Sequence, residues 1–336
     1  MSPDDKADFA FTFLSILFEG APFVLLGTLI SGFIDVYLPA GTMDRFLPKN
    51  KILATLVAGL MGIIFPVCEC AVVPVIRRLV KKGLPVSCGL TYMLAAPIVN
   101  PITAASTWLA FKGQGSLMMT SSRLLLGFAV AVGVGLVVSR MRLRSVPKAK
   151  LADSMENEQA AATPDDACSH DGGCCGHDHH HHHSEGGSKV VAAFRSAMKG
   201  FVDGAVYFTI GVAITSLFGL ALARPGVREA VESVASNPVG APVSMMVLAF
   251  VLSLCSTTDA FIAANFQKFS WGAKLAFLTF GPMLDVKLLF LYQTVLRKRF
   301  IIWLSIGLFV TIGVACIAWQ EFIPQLILNA PVSKTP

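Results

Sequence analysis

Apolar residues in this chain fall in eight stretches, approximately 9–38, 52–76, 84–111, 118–139, 194–223, 241–265, 272–296 and 300–319. A bilayer core about 30 Å thick takes roughly 20 apolar residues in helical form. Backbone inside it must satisfy its own polar groups, so these stretches predict helices. Between the fourth and fifth lies Arg140 to Lys189, rich in Ala, Asp, Glu, Ser, Gly and His and almost without large apolar side chains. Such a segment buries no core and reads as a disordered linker. The pattern predicts an all-α integral membrane protein. Residues 1–140 form a first membrane unit, 141–193 a linker, 194–323 a second membrane unit and 324–336 a tail.

Composition removes the soluble alternative. Apolar residues make up 54% of the chain and charged residues 14%, with a mean hydropathy of +0.66; a soluble domain carries roughly a quarter charged residues. The net charge of +6 comes largely from Lys/Arg clusters at the ends of apolar stretches. That pattern sets membrane orientation and argues against nucleic acid as a partner. Met1 to Asp8 holds more acid than base and lacks a cleavable signal pattern, so the first stretch is expected to stay as a span. The eight cysteines form no extracellular disulfide framework and read as free thiols.

The two units resemble each other. Glu19-Gly20-Ala21 matches Asp203-Gly204-Ala205, and at the same offset Gly27 matches Gly211 and Ser31 matches Thr215. Cys68-Glu69-Cys70 then falls against Cys255-Ser256-Thr257, and Ala96-Pro97-Ile98-Val99-Asn100 against Gly281-Pro282-Met283-Leu284-Asp285. The order is kept throughout, which predicts two homologous halves of about four apolar segments each. Secondary transporters are commonly built this way, with the substrate site between the repeats.

Arg140, Arg142, Arg144, Lys148 and Lys150 directly follow the fourth stretch, so the linker is expected in the cytoplasm of a multi-pass plasma-membrane protein. Eight full crossings would place Arg297-Lys298-Arg299 outside, against the charge rule. Re-entrant segments at 52–76 and 241–265 would place that cluster inside. Charge favours the second arrangement, and both keep the linker cytoplasmic.

Several stretches break helix rules. Ile64 to Pro74 carries Pro66 and Pro74 around Cys68-Glu69-Cys70, and Ala96 to Pro101 carries Pro97 and Pro101 around Asn100. An interior proline costs about 3 kcal/mol in a helix, and freed carbonyls are tolerated in a membrane only where they are buried in protein or line a polar cavity. Further breaks are expected at Gly281-Pro282 and near Cys255. Breaks at matching positions of two halves point to a site near the midplane.

The residues in the breaks are chemically pointed. In extended backbone, residues i and i+2 project to one side, so one soft ion could meet both Cys68 and Cys70. Thiolates select Cu(I), Zn(II) and similar ions, and Glu69 adds charge compensation or a proton site. Cys255 is a further candidate, whereas Cys88 and Cys316 read as small apolar fillers. Glu69, Asp259, Asp285 and Lys287 all lie within apolar stretches, where a lone charge costs roughly 3 kcal/mol or more. Such residues mark an ion or proton pathway, although Asp285 and Lys287 could also simply neutralise one another. Asn100 would supply a neutral ligand from the facing half. Glu19 and Asp203 rank behind these.

All seven histidines lie in the linker. Cys168, His170, Cys174, Cys175, His177, His179, His180, His181, His182 and His183 form a tract of imidazoles and thiols among acids. It suits Zn(II), Cu or Ni(II), yet its spacing is not that of a closed zinc finger. We read a multi-site collecting or sensing tract.

Phe65-Pro66-Val67-Cys68-Glu69-Cys70, with Pro74, Gly83 and Ala95 to Pro101, resembles the predicted-permease family that includes the methylarsenite efflux permeases. The chain looks closest to the copper/zinc efflux branch, which carries a similar Cys/His-rich central loop. By that resemblance Cys68 and Cys70 match the family's signature cysteine region, and Pro97, Asn100 and Pro101 its second signature. The second half departs from the pattern, with Ser256 and Thr257 where the first has Glu69 and Cys70.

These readings converge on a secondary-active permease, not an enzyme, that exports Zn or Cu ions from the cytosol and needs no cofactor. Metal ions, the bilayer and protons are the expected partners. The chain holds neither a G-x-x-x-x-G-K-[ST] loop nor the Asp-Lys-Thr-Gly motif of phosphorylated pumps, so the proton motive force is the expected driver. The alternatives are export of trivalent arsenicals through the same cysteines, and a metal sensor or thiol-redox protein without transport.

Overall fold

The structure, a computed structural model, describes residues 3–37, 48, 50–65, 67–141, 146, 189–222 and 237–328. Every regular element among them is a helix. Four are long: α1 (Pro3–Tyr37), α6 (Ser116–Ser139), α7 (Lys189–Leu222) and α12 (Lys298–Leu328). The others are short and follow one another in pairs: α2 (Lys51–Ile64) and α3 (Glu69–Lys81), α4 (Val86–Ala95) and α5 (Pro101–Ala110), α8 (Gly240–Leu252) and α9 (Thr258–Asn265), α10 (Trp271–Met283) and α11 (Val286–Tyr292). Five runs are long and apolar enough to cross a bilayer: Lys6–Tyr37, Ser116–Ser139, Lys189–Leu220, Trp271–Tyr292 (α10 with α11) and Lys298–Gln320.

The expected breaks near 66, 97, 255 and 282 thus each separate two short helices, and local chemistry fixes where each second helix begins. Asn100 caps α5 by accepting from Ile102 N at 2.9 Å, with Pro101 at the first helical position. Asp285 caps α11 by accepting from Leu288 N at 2.7 Å. These side-chain acceptors satisfy helix-start N–H groups that have no partner in the ladder. Pro74, expected to interrupt its segment, is carried inside α3, and Ser31 of α1 donates to its carbonyl at 3.1 Å.

Contacts between helix ends fix their directions. At one end of the bundle, Asp35 near the end of α1 pairs with Arg78 near the end of α3 at 3.0 Å and accepts from Ser196 near the start of α7. At the same end, Arg297 N donates to the carbonyl of Val146, a few residues beyond α6. Thr55 in the first turn of α2 lies with Thr91 against Gly135, one turn before α6 ends, whereas Gly62 near the end of α2 lies against Ala96 and Val99. So α2 and α3 both have their outer ends at this end of the bundle, and the 65–68 break is in the middle. Their arms straddle α4.

The pair α8 and α9 is arranged the opposite way. Gly281 lies against Ala249 and Gly313 against Met246, so α8 starts at the far end and runs inward beside α10. Trp271 at the start of α10 covers Gly115 at the start of α6, and Ser270 bonds Gln320 at 3.1 Å. Phe266, just after α9, stacks edge-on against Phe269, just before α10. Both arms of α8–α9 therefore return to the far end, with the 253–257 break in the middle. The core is built around α4, α8 and α10, while α1 and α7 pack antiparallel beside the two inner breaks.

Candidate functional site

The two inward-pointing breaks meet. A cavity of about 30 Å³ lies between them and the α1–α7 pair, lined by Glu19, Phe23, Cys68, Glu69, Cys70, Phe208, Cys255 and Lys287 among others. That volume holds only one or two water-sized species. Cys68 is the extended N-cap residue of α3, and Glu69 and Cys70 are its first helical residues. The cysteines are therefore not the extended i, i+2 pair expected from the sequence, because the helix starts between them. Both thiols still line the cavity, together with Cys255 from the facing break. Among the described residues, no three Cys, His, Asp or Glu side chains lie close enough together to hold a metal ion.

Lys287 is the hub. Its ammonium lies 3.2 Å from Glu69 Oε1 and 3.5 Å from Asp285 Oδ2, and it donates to the carbonyls of Ser253 at 2.9 Å and Leu254 at 3.3 Å. The three charged residues are at most 4% exposed. Lys287 thus pairs with two carboxylates and satisfies carbonyls that the break leaves outside any helix, which is what a buried cation requires. Gly211 of α7 makes room for it: a methyl group at that position would come within 2.7 Å of Lys287 Cα. The expected local pairing of Asp285 with Lys287 is present, but Glu69 at the start of α3 shares the same cation.

Ser253 holds this junction together. Its backbone is left-handed, with φ 46°, a conformation that costs a non-glycine residue about 1 kcal/mol or more. In return its hydroxyl accepts from Val286 N at 3.1 Å and Thr215 Oγ1 at 3.2 Å and donates to Phe250 O.

A second buried ion pair lies behind the cavity. Arg123 of α6, 1% exposed, donates to Thr107 Oγ1 at 2.8 Å and Ser256 O at 3.0 Å, and its Nη2 lies 3.9 Å from Asp259 Oδ2. The break at 253–257 is therefore held by two cations, Lys287 on one side and Arg123 on the other. Glu69 Oε2, Asp285 Oδ2 and Asp259 Oδ2 are buried and accept no hydrogen bond from a described residue.

A family model described as a predicted permease matches residues 7–320. The chain belongs to that family. The permease is 35% identical over 290 residues to UPF0718 protein YcgR of Bacillus subtilis, covering 86% of this chain and 89% of the relative. It is 32% identical over 291 residues to a Streptococcus mutans protein provisionally named a two-component membrane permease complex subunit, covering 86% and 87%. No solved structure matches it.

The residues expected to form the permease's pathway divide into groups. Cys68, Glu69, Cys70, Cys255 and Lys287 share the cavity, as does Glu19, and Asp285 backs it through Lys287. Asp259 belongs to the Arg123 cluster. Pro97 and Asn100 do not line the cavity; the Asn100 Oδ1 expected to act as a ligand caps α5, and Pro97 O accepts from Thr103 at 3.0 Å. The tract Cys168, His170, Cys174, Cys175, His177 and His179–His183 lies outside the described residues, as do most of the linker and the end of the tail. Sequence reasoning passed over Arg123, although a lone arginine in the apolar stretch 118–139 is the same signal that singled out Asp285.

Proposed function

We propose that this permease is a secondary-active exporter of a thiophilic metal ion, Zn(II) or Cu(I). The observation that carries this reading is that three thiols, Cys68, Cys70 and Cys255, line one small cavity between two broken segments. Soft ions prefer thiolates, and a cavity of that size suits an ion better than a large solute. The Cys/His tract supports a metal over other cargo and, with the basic cluster behind α6, a cytosolic origin.

The chain is then an inverted duplication. Its linker end is cytosolic, α2–α3 enters from that side, and α8–α9 enters from the outside. Arg77, Arg78, Arg140, Arg195 and Arg297 all fall at the linker end, in agreement with the positive-inside rule. Rocking of one inverted half against the other would open the cavity alternately. The buried carboxyl groups of Glu69, Asp259 and Asp285 are where coupling protons would bind and release the cargo. The provisional name of the Streptococcus relative supports assembly with a second subunit.

A second reading, export of trivalent arsenicals, draws on the same three thiols, since trivalent arsenic also bonds to thiolate sulfur. Uptake into everted vesicles tests both readings, with Zn(II), Cu(I) and methylarsenite as cargo and Cys68→Ala/Cys70→Ala as the comparison. Metal uptake lost in the double variant supports the first reading and methylarsenite uptake lost in it the second, while normal transport by the variant rejects both.

A further inference from the structure

A second, larger chamber opens at the linker end, directly behind the thiol cavity. It has a volume of about 360 Å³, and Asp35, Arg77, Arg78, Lys81, Lys199 and Asp203 are its charged lining. Four cations face two carboxylates, and Asp35 is already paired with Arg78. Among the described residues, Arg77 and Lys199 against Asp203 still leave the lining positive without counting Lys81. A bare Zn(II) or Cu(I) ion would enter this chamber against repulsion.

One layer of side chains separates the chamber from the thiols. Val24, Phe208, Val212 and Cys70 pack into a small apolar cluster, each at most 4% exposed. Val24 also lines the chamber, while Cys70 and Phe208 line the thiol cavity. Gly20 brings α1 directly against the Phe208 ring. A thiol therefore stands on the wall between a basic chamber and the site that accepts soft cargo.

We propose that the chamber is a binding site for the cargo in complexed form, a soft metal carried by small thiols that bear carboxylates. Such a complex is anionic and suits the positive lining, and 360 Å³ lies in the range that holds small-molecule ligands. Transfer to the cavity is then a thiol exchange without redox change. The Cys70 sulfur bonds to the metal, the bond from metal to carrier sulfur breaks, and the proton of the Cys70 thiol leaves on the carrier thiol. The Val24–Phe208 layer keeps the carrier in the chamber, so only the ion passes. This inference rests on the proposed export of a thiophilic ion.

The experiment compares uptake into everted vesicles of Zn(II) presented as its glutathione complex with uptake of Zn(II) held by a weak neutral buffer. Wild type is expected to prefer the complexed form. In Arg77→Gln/Lys199→Gln the ratio of complexed to buffered uptake should fall about tenfold, the effect of losing roughly 1.4 kcal/mol of charge attraction. S-methylglutathione, which keeps the carboxylates and cannot exchange, should inhibit uptake of the complexed form selectively in wild type. That arm does not depend on the variant folding. Equal uptake of both forms by wild type, a variant ratio equal to wild type, or no selective inhibition overturns the proposal. If neither form is transported, the export reading itself fails.

Discussion

Glu69 and Lys287 stand 218 residues apart in the chain and meet at 3.2 Å in the centre of the bundle. The contact joins the start of α3 to the first turn of α11, and so ties the break that enters from one end to the segment that descends from the other. Because both groups are almost wholly buried, neither can fall back on water. Removing one partner of a buried pair typically costs about 3–5 kcal/mol, most of it the penalty of the charge left behind. Lys287→Met strands both Glu69 and Asp285 and should be more destabilising than Glu69→Gln, which leaves Lys287 with Asp285. Thermal unfolding in detergent should give the order wild type, Glu69→Gln, Lys287→Met, with Glu69→Gln/Lys287→Met less damaged than the sum of its parts. Additive effects would show that the pair is not coupled.

Arg123 tests the second ion pair. Its fork reaches Thr107 Oγ1, Ser256 O and the neighbourhood of Asp259 at once. A lysine has one ammonium and cannot span that set. Arg123→Lys should therefore recover little of what Arg123→Met loses, on the order of 3 kcal/mol for an unpaired buried Asp259. Asp259→Asn in the Arg123→Met background should restore part of it. Unfolding midpoints of the four proteins provide the check.

Much of this site is legible in the sequence, for a physical reason. Cys68, Glu69, Cys70, Asp259, Asp285 and Lys287 stand out because charge and thiol chemistry are expensive or rare within apolar stretches, and function has to explain them. Broken helices are equally visible, since Pro66, Pro97, Pro101 and Pro282 remove backbone donors where a bilayer offers no replacement. Partnership is not visible. That Lys287 serves Glu69 as well as its neighbour Asp285 depends on two segments entering from opposite ends. That Asn100 caps a helix instead of facing a ligand depends on one carbonyl oxygen meeting Ile102 N. Residues at i and i+2 also point together only in extended chain, and α3 begins at Glu69.

Gly211 lets α7 approach the backbone of Lys287. An added methyl there would meet Lys287 Cα at 2.7 Å and Cβ at 3.2 Å, with no flexible side-chain tip to move aside. Overpacking of this kind costs about 1–3 kcal/mol. Gly211→Ala should lower the unfolding midpoint and displace the lysine from Glu69. Gly204→Ala, on the same helix, would meet only Val24 Cγ1 at 3.9 Å and should be nearly neutral. Equal midpoints for the two variants would remove the close approach from the account.

The arrangement of α2–α3 and α8–α9 makes a further claim that needs no transport assay. In a chain lacking Cys168, Cys174 and Cys175, single cysteines introduced at the ends of each pair can be labelled with a membrane-impermeant thiol reagent from either side. Asn50 and Lys82 flank α2–α3, and both flank the end that carries Asp35, Arg78 and Ser196. Asn237 and Gln267 are exposed and flank α8–α9 at the opposite end. Asn50→Cys and Lys82→Cys should label together from the linker side, and Asn237→Cys and Gln267→Cys together from the other. Two helices of 14 and 13 residues are about 20 Å long each, so either arm alone falls short of a core about 30 Å thick, and both would have to be stacked end to end to cross it. If Asn50 and Lys82 label from opposite sides, α2–α3 crosses the membrane. The cavity could then not be the meeting point of two segments entering from opposite faces, and the lysine that joins them would need another explanation.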